Sequence, residues 1–284
     1  PGVASLSLPH LEIRHHASSI TDWHRAQVPR PPSDRYRGLM SAAANRPVLT
    51  IRGVELGVGR PKVIVPLTDA HDSSLIASAK RVAASRTDMV EWRVDRYASR
   101  DDHTKVVAMA ARIHEIIGER PLLFTPRTKH EGSDWNPPGD SYRDIIADAC
   151  ASGTVDMVDV QYLNPAVKRC FEAARAHRVP IIASNHDFNG TPSATAIADG
   201  LDAMASLGAD IAKMAVMPRK PADVAALLEA TAVAAQTIRV PLITMSMGPL
   251  GVISRLAGQV FGSCATFATL GGEGSAPGQL PLDE

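Results

Sequence analysis

Cysteine is nearly absent from this chain: Cys150, Cys170 and Cys264 are the only three in 284 residues. An odd number at wide spacing excludes a disulfide framework, and the lack of any C-x-x-C pair removes the common zinc and redox motifs. The cysteines read as reduced, mostly buried apolar residues of a cytoplasmic protein. Net charge is absent too, with 30 basic residues against 30 acidic. No global field therefore draws the chain to nucleic acid or to an anionic membrane, and recognition of an anion has to be local. No stretch approaches the roughly 20 consecutive apolar residues that span a bilayer. Neither G-x-G-x-x-G nor G-x-x-x-x-G-K-[ST] follows any apolar run, so the usual nucleotide-phosphate loops are missing.

Residues 1–46 differ from the rest, with Pro9, Pro29, Pro31 and Pro32, scattered arginines, and His10, His15, His16 and His24. They lack the basic start, apolar core and cleavage site of a secretory signal, and their histidine spacings match no metal-ligand pattern. This segment is expected to be a disordered leader, an expression remnant or an extension ahead of a start at Met40. Residues 47–284 are expected to form a single catalytic domain.

What is present, from Pro61 onward, is a beat of short apolar runs and helical patterns at intervals of roughly 25 to 30 residues. Eight strands are expected: Lys62 to Leu67, Asp88 to Val94, Pro121 to Thr125, Asp156 to Val160, Pro180 to Ser184, Asp210 to Met214, Pro241 to Met245, and Cys264 to Thr269. Between them, Val106, Met109, Ala110, Ile113, Ile116 and Ile117 follow helical spacing, as do Val224, Leu227, Leu228, Thr231, Ala235 and Ile238. Pro121, Pro180 and Pro241 each follow a helical pattern and fall where a strand tolerates proline, at its first position. Eight parallel strands with eight covering helices predict an α/β fold, a closed TIM (β/α)8 barrel of about 220 to 250 residues. Ahead of it, Val48 to Arg52 and Val54 to Val58 around Gly53 predict a β-hairpin closing the bottom of the barrel.

In such barrels the catalytic groups come from the carboxyl ends of several strands. Period-two alternation puts Met89, Glu91, Arg93 and Asp95 on one face of the second strand and Val90, Trp92 and Val94 on the other. Thr125 and Arg127 share a face at the end of the third, His186 closes the fifth, and Lys213 lies within the apolar stretch Ala209 to Pro218. A lysine withdrawn from water loses hydration, which favours the neutral, nucleophilic amine, and Arg93 and Arg127 are expected to push the same way. Such an amine suits imine formation with a carbonyl. The structural alternative is a lysine that reaches water or pairs with a carboxylate such as Asp210. His186 suits proton transfer, oriented by an acid such as Glu131, and its alternative is a histidine merely hydrogen-bonded at a strand end.

Six ordered segments carry a resemblance: EWRVD at 91–95, LLFTPRT with EGS across 122–133, SNHDF at 184–188, GADIAKMAVMP at 208–218, SMGPLGVISRLAGQVFGS at 246–263, and SAPGQ at 275–279. Through them the chain from about Val48 to Gln279 resembles the type I 3-dehydroquinate dehydratases of the shikimate pathway. The resemblance implies a homodimeric lyase without metal or cofactor that converts 3-dehydroquinate to 3-dehydroshikimate, in aromatic amino acid biosynthesis. It implies Lys213 as the Schiff-base lysine, His186 as the proton-transfer residue and Glu131 as its carboxylate partner. Arg255 matches the arginine that clamps the substrate carboxylate, and Glu91, Arg93 and Arg127 match positions that bind ring hydroxyls and organise the site. Met245, Met247 and Phe267 match the apolar wall, and Ser275, Ala276 and Gln279 the lid.

The chain departs from the family pattern at Ser133, where EGG is usual, and at Gln161, where a glutamate is frequent. A class I Schiff-base aldolase is the nearest enzymatic rival, but its sugar-phosphate substrates usually need a phosphate loop. A catalytically silent metabolite-binding barrel is the rival of another kind. Silence would most simply require loss of Lys213, His186, Glu131 or Arg255, and all four are present.

Overall fold

The computed structural model describes residues 47–271 and 274–282. The expectation for residues 1–46 lies outside them. Eight strands form the wall of the barrel: β3 (Lys62–Leu67), β4 (Met89–Arg93), β5 (Leu122–Thr125), β6 (Met157–Gln161), β7 (Ile181–Asp187), β8 (Ile211–Val216), β9 (Leu242–Ser246) and β10 (Ala265–Thr269). Each is parallel to its neighbour from β10 through β3 to β9. The seam between β9 and β10 is short. A parallel bridge joins Leu242 to Ser263, Cys264 N donates to Leu242 O at 2.7 Å, and Ser263 Oγ accepts from Thr244 N at 3.1 Å. A serine side chain thus replaces one ladder bond at the point of closure.

The sequence explains how the strands begin. Pro121, Pro180 and Pro241 have no N–H to give, but each carbonyl accepts a bond from the adjacent strand, from Val90, Val158 and Ala212 respectively. An aspartate plays the complementary part: Asp88 accepts from Val63 N at 2.7 Å, Asp156 from Leu122 N at 2.8 Å and Asp210 from Ile181 N at 2.8 Å. These carboxylates fix neighbouring strands in register at the amino-terminal end of the barrel. Asp210 is committed there, with Arg175 at 3.1 Å as its ion-pair partner, so it is not the partner of Lys213.

Alternation sorts the strand side chains into two cores. Val90, Trp92 and Val94 face outward and pack with residues from the helices. Inward, Ile64, Met89, Leu123, Met157, Ile182, Ile211 and Ile243 meet in the barrel's interior. The hairpin β1 (Leu49–Ile51) and β2 (Val54–Leu56) adds Ile51 and Leu56 to that inner core, closing the end where the strands begin. Its strands are shorter than the predicted Val48 to Arg52 and Val54 to Val58.

Seven α-helices cover the wall: α1 (Asp72–Ala83), α2 (His103–Ile117), α3 (Ser141–Ala151), α4 (Val167–Ala176), α5 (Ala194–Ser206), α6 (Pro221–Thr237) and α7 (Val252–Phe261). The predicted apolar stripe of α2 is buried at Val106, Met109, Ala110, Ile113 and Ile117, and the helix begins at Asp102, which accepts from Lys105 N. The expectation of eight covering helices fails among the described residues. After β10 the chain meets Gly271, Gly274, Pro277 and Gly278, a composition that a helix interior does not tolerate. It crosses the carboxyl end of the barrel and adds the short β11 (Leu280–Pro281) to β10. The strand predicted to end at Ser184 runs on to Asp187, carrying His186 within ladder register opposite Ala215.

Candidate active site

Lys213 is 3% exposed, and its Nζ lies 3.0 Å from Asp159 Oδ2 and 4.5 Å from the centre of the Phe267 ring. Asp159 is on β6, two strands away. Between them, on β7, Ser184 donates to Asp159 Oδ1 at 2.6 Å. Burial pushes the Asp159 carboxyl up, but Arg127, Lys213 and the Ser184 hydroxyl outweigh it and hold the group below the usual carboxylate range. The two arginines expected to act on the lysine are themselves paired with acids. Arg93 is clamped on Asp95 by two bonds of 2.8 Å, and Arg127 reaches Glu131 at 2.7 Å and Asp159 at 2.8 Å.

His186 Nδ1 stands 2.7 Å from Glu131 Oε2, the oxygen that also accepts from Arg127 Nη1. Burial, then the cations Arg127, Lys213 and Arg93, hold the His186 imidazole well below its ordinary range, so it is neutral and has a ring nitrogen free to accept a proton. Glu131 is pushed up to about 7, first by burial and also by Asp159, against the pull of Arg127. When Glu131 is ionised, Nδ1–H donates to it and Nε2 is left as the proton acceptor. Glu131 sits on a tight turn that needs Gly132, where φ is +87° and a Cβ would fall 2.6 Å from the Phe188 ring. At the departure Ser133, the hydroxyl donates to Asp95 at 2.8 Å and accepts from Trp135 N at 3.2 Å, tying this turn to the acid that clamps Arg93.

Arg255 enters from α7. Its guanidinium is buried, donates to Pro277 O at 3.0 Å and to Met245 Sδ at 3.5 Å, and has no partner at Nε among the described residues. No carboxylate among them pairs with it, and burial alone pulls it down to about 10, still charged at neutral pH. A buried guanidinium with open donors is poised for an anion.

All thirteen residues singled out from the sequence line one cavity. Glu91, fixed by Thr125 Oγ1 at 2.9 Å, and Arg93 lie on its floor strands with Lys213, and Met245, Met247 and Phe267 form apolar wall. Ser275, Ala276 and Gln279 cover it. The cover is held by Gln279 Oε1 accepting from Ser275 N at 2.8 Å, by Pro277 O accepting from Gly248 N at 3.1 Å, and by Ser275 O accepting from Arg93 at 3.4 Å. Among the described residues no group of three or more His, Cys, Asp or Glu side chains could hold a metal ion, and no helix is long and apolar enough to cross a membrane.

Sequence reasoning missed Asp159 as the lysine's partner, Asp95 as the clamp of Arg93, and Ser184 and Gln161 as hydrogen-bonding members of the network. The signal was available for two of them: Asp159 and Gln161 are polar residues at alternate positions of a strand whose other residues are apolar, and both are buried.

The family model for type I 3-dehydroquinase matches residues 63–284. A 3-dehydroquinate dehydratase of Lactiplantibacillus plantarum is 41% identical over 240 residues, covering 84% of this chain and 95% of the relative. That of Listeria welshimeri is 39% identical over 238 residues, covering 83% of this chain and 94% of its own length. Among solved structures, 3-dehydroquinate dehydratase from Geobacillus kaustophilus superposes with a TM-score of 0.80 at 37% identity, over 83% of this chain and 92% of that one. The type I enzyme of Clostridium difficile gives 0.80 at 36% identity, over 84% and 94%. With this agreement along nearly the whole described barrel, the chain belongs to the type I 3-dehydroquinase family and is an enzyme of that class.

Proposed function

We propose that the chain dehydrates 3-dehydroquinate to 3-dehydroshikimate through an imine on Lys213, as a step of the shikimate pathway in the cytoplasm. The observation that carries this reading is the single cavity lined by a buried lysine, a neutral histidine on a carboxylate, and a buried arginine without an acid partner. The substrate carboxylate takes the open donors of Arg255, which sets the ring in place. Its ketone carbon then faces Lys213. Once the amine has given up its proton, Nζ attacks that carbon, and loss of water from the carbinolamine yields the iminium.

The iminium draws electrons from the adjacent carbon–hydrogen bond, and His186 Nε2 takes the proton. The enamine that results expels the hydroxyl across the new double bond, and the same histidine returns its proton so that water leaves. Hydrolysis of the remaining iminium releases the enone and restores Lys213. Glu131 supports the imidazolium formed in the middle of the cycle. Glu91, Arg93 and Arg127 supply polar contacts for the ring hydroxyls, while Met245, Met247 and Phe267 keep the reacting carbon dry, and the Ser275–Gln279 segment covers the ligand.

The reading is tested by adding 3-dehydroquinate to the purified protein and following the absorbance of the conjugated enone. A rise that is lost in Lys213→Ala supports it, whereas unchanged substrate with wild-type protein contradicts it. The homodimer expected from the resemblance is supported by α7. That helix buries Ser254, Arg255 and Gly258 but exposes Ile253, Leu256 and Val260, the last at 76%. Such an exposed apolar helix face suits a second copy of the chain.

A further inference from the structure

Gln161 is buried at the end of β6, at a position where the chain departs from the pattern it otherwise follows. Its backbone N–H is held by Tyr142 Oη at 2.9 Å. Its side-chain oxygen accepts from Thr128 N at 3.0 Å, at the base of the turn that carries Glu131. With the oxygen engaged there, the NH2 is left for the Glu131 carboxylate, which lines the same cavity and which the amide pulls down against burial. Gln161 therefore holds the turn at the backbone of 128 and stands beside the carboxylate at 131.

We infer that Gln161 is a positioning residue for proton transfer, its amide holding Glu131 as the anion that accepts from His186 Nδ1 and so keeping Nε2 free as the base. The inference rests on the reading of His186 as the proton-transfer group. The charged and titratable groups that face Glu131 are Arg127 from the end of β5, Asp159 from β6, His186 from β7 and Lys213 from β8. His130 and Asp187 line the neighbouring cavity with it. Of these, Arg127 is shared with Asp159 and Ser184. Gln161 is the neutral donor in the set, so its contribution does not titrate. Without it, burial and Asp159 favour protonated Glu131, which would donate to Nδ1 and turn the imidazole to the tautomer whose Nε2 carries hydrogen and cannot act as a base.

The test is the pH profile of kcat for dehydration of 3-dehydroquinate by Gln161→Met, which keeps the length of the side chain and loses the amide. The acid limb should move to higher pH by about one unit, the size expected for losing a hydrogen bond to a charged group. Activity should approach the wild-type level above the new limb, and KM should change less than about twofold. A uniform fall in kcat with the limb unmoved, or no change, overturns the inference. The second measurement needs no variant: 15N chemical shifts of the His186 ring in the wild-type protein, assigned with His186→Ala. Protonated Nδ1 and bare Nε2 above the limb are expected, and the opposite tautomer overturns the inference even if Gln161→Met does not fold. Failure of the parent reading looks different, since His186→Ala would then turn over at the wild-type rate.

Discussion

Asp159 binds the chemistry of this site together. One carboxylate faces both Lys213 and Arg127 and takes a hydroxyl from Ser184, so the lysine's proton has a defined acceptor and the arginine a fixed orientation. Removing one member of a buried ion pair leaves the other charge uncompensated, at a cost of about 3 kcal/mol or more. Asp159→Asn should therefore lower the unfolding free energy by about that amount in a urea titration, and an unchanged midpoint would argue that the network is not held by this acid. The acid was hidden from sequence reasoning for a geometric reason. Lys213 and Asp159 are 54 residues apart, and they meet only because β6, β7 and β8 bring inward positions to a common depth. Reading a strand's face does not give its depth relative to a strand two places away. Asp210, three positions from the lysine, looked like the natural partner, but strand geometry sends it to the other end of the barrel.

At the scale of elements, the alternation of β4 was legible in full: Glu91 and Arg93 inward, Val90 and Trp92 outward, because one face meets helices and the other a polar cavity. The beginnings of three strands were legible too, through Pro121, Pro180 and Pro241, whereas the aspartates that fix strand register emerged only from the structure. The covering segment was legible as glycine and proline content but not as a structure, since its place depends on contacts with the loop after β9. Gly278 shows how close that fit is. It has φ of +79°, and a Cβ there would fall 2.5 Å from Gly248 O. Gly278→Ala should lift the cover from this loop and lower kcat/KM about 10- to 100-fold. The thermal midpoint should move by less than about 2 °C, because the cover adds little to either core. Wild-type kinetics in this variant would show that the cover plays no part in catalysis.

Across the whole molecule, the pattern of α7 connects the site to the homodimer we propose. Its polar face reaches the cavity through Arg255, and its apolar face points outward, the reverse of what a helix on a lone barrel needs. Which face of that helix meets the barrel was not legible in the sequence, since Arg255 in isolation reads as a surface residue. Leu256→Glu should convert a dimer of the 30.2 kDa chain to a monomer in light scattering, and an unaltered mass would place the interface elsewhere.

The central claim is that Lys213 forms a covalent imine with the substrate. Borohydride added during turnover of 3-dehydroquinate should reduce that imine to a stable secondary amine, inactivating the enzyme and leaving the adduct on the peptide that contains Lys213 when it is mapped by mass spectrometry. Adduct on another lysine, or full activity after borohydride with no adduct at all, would contradict the account.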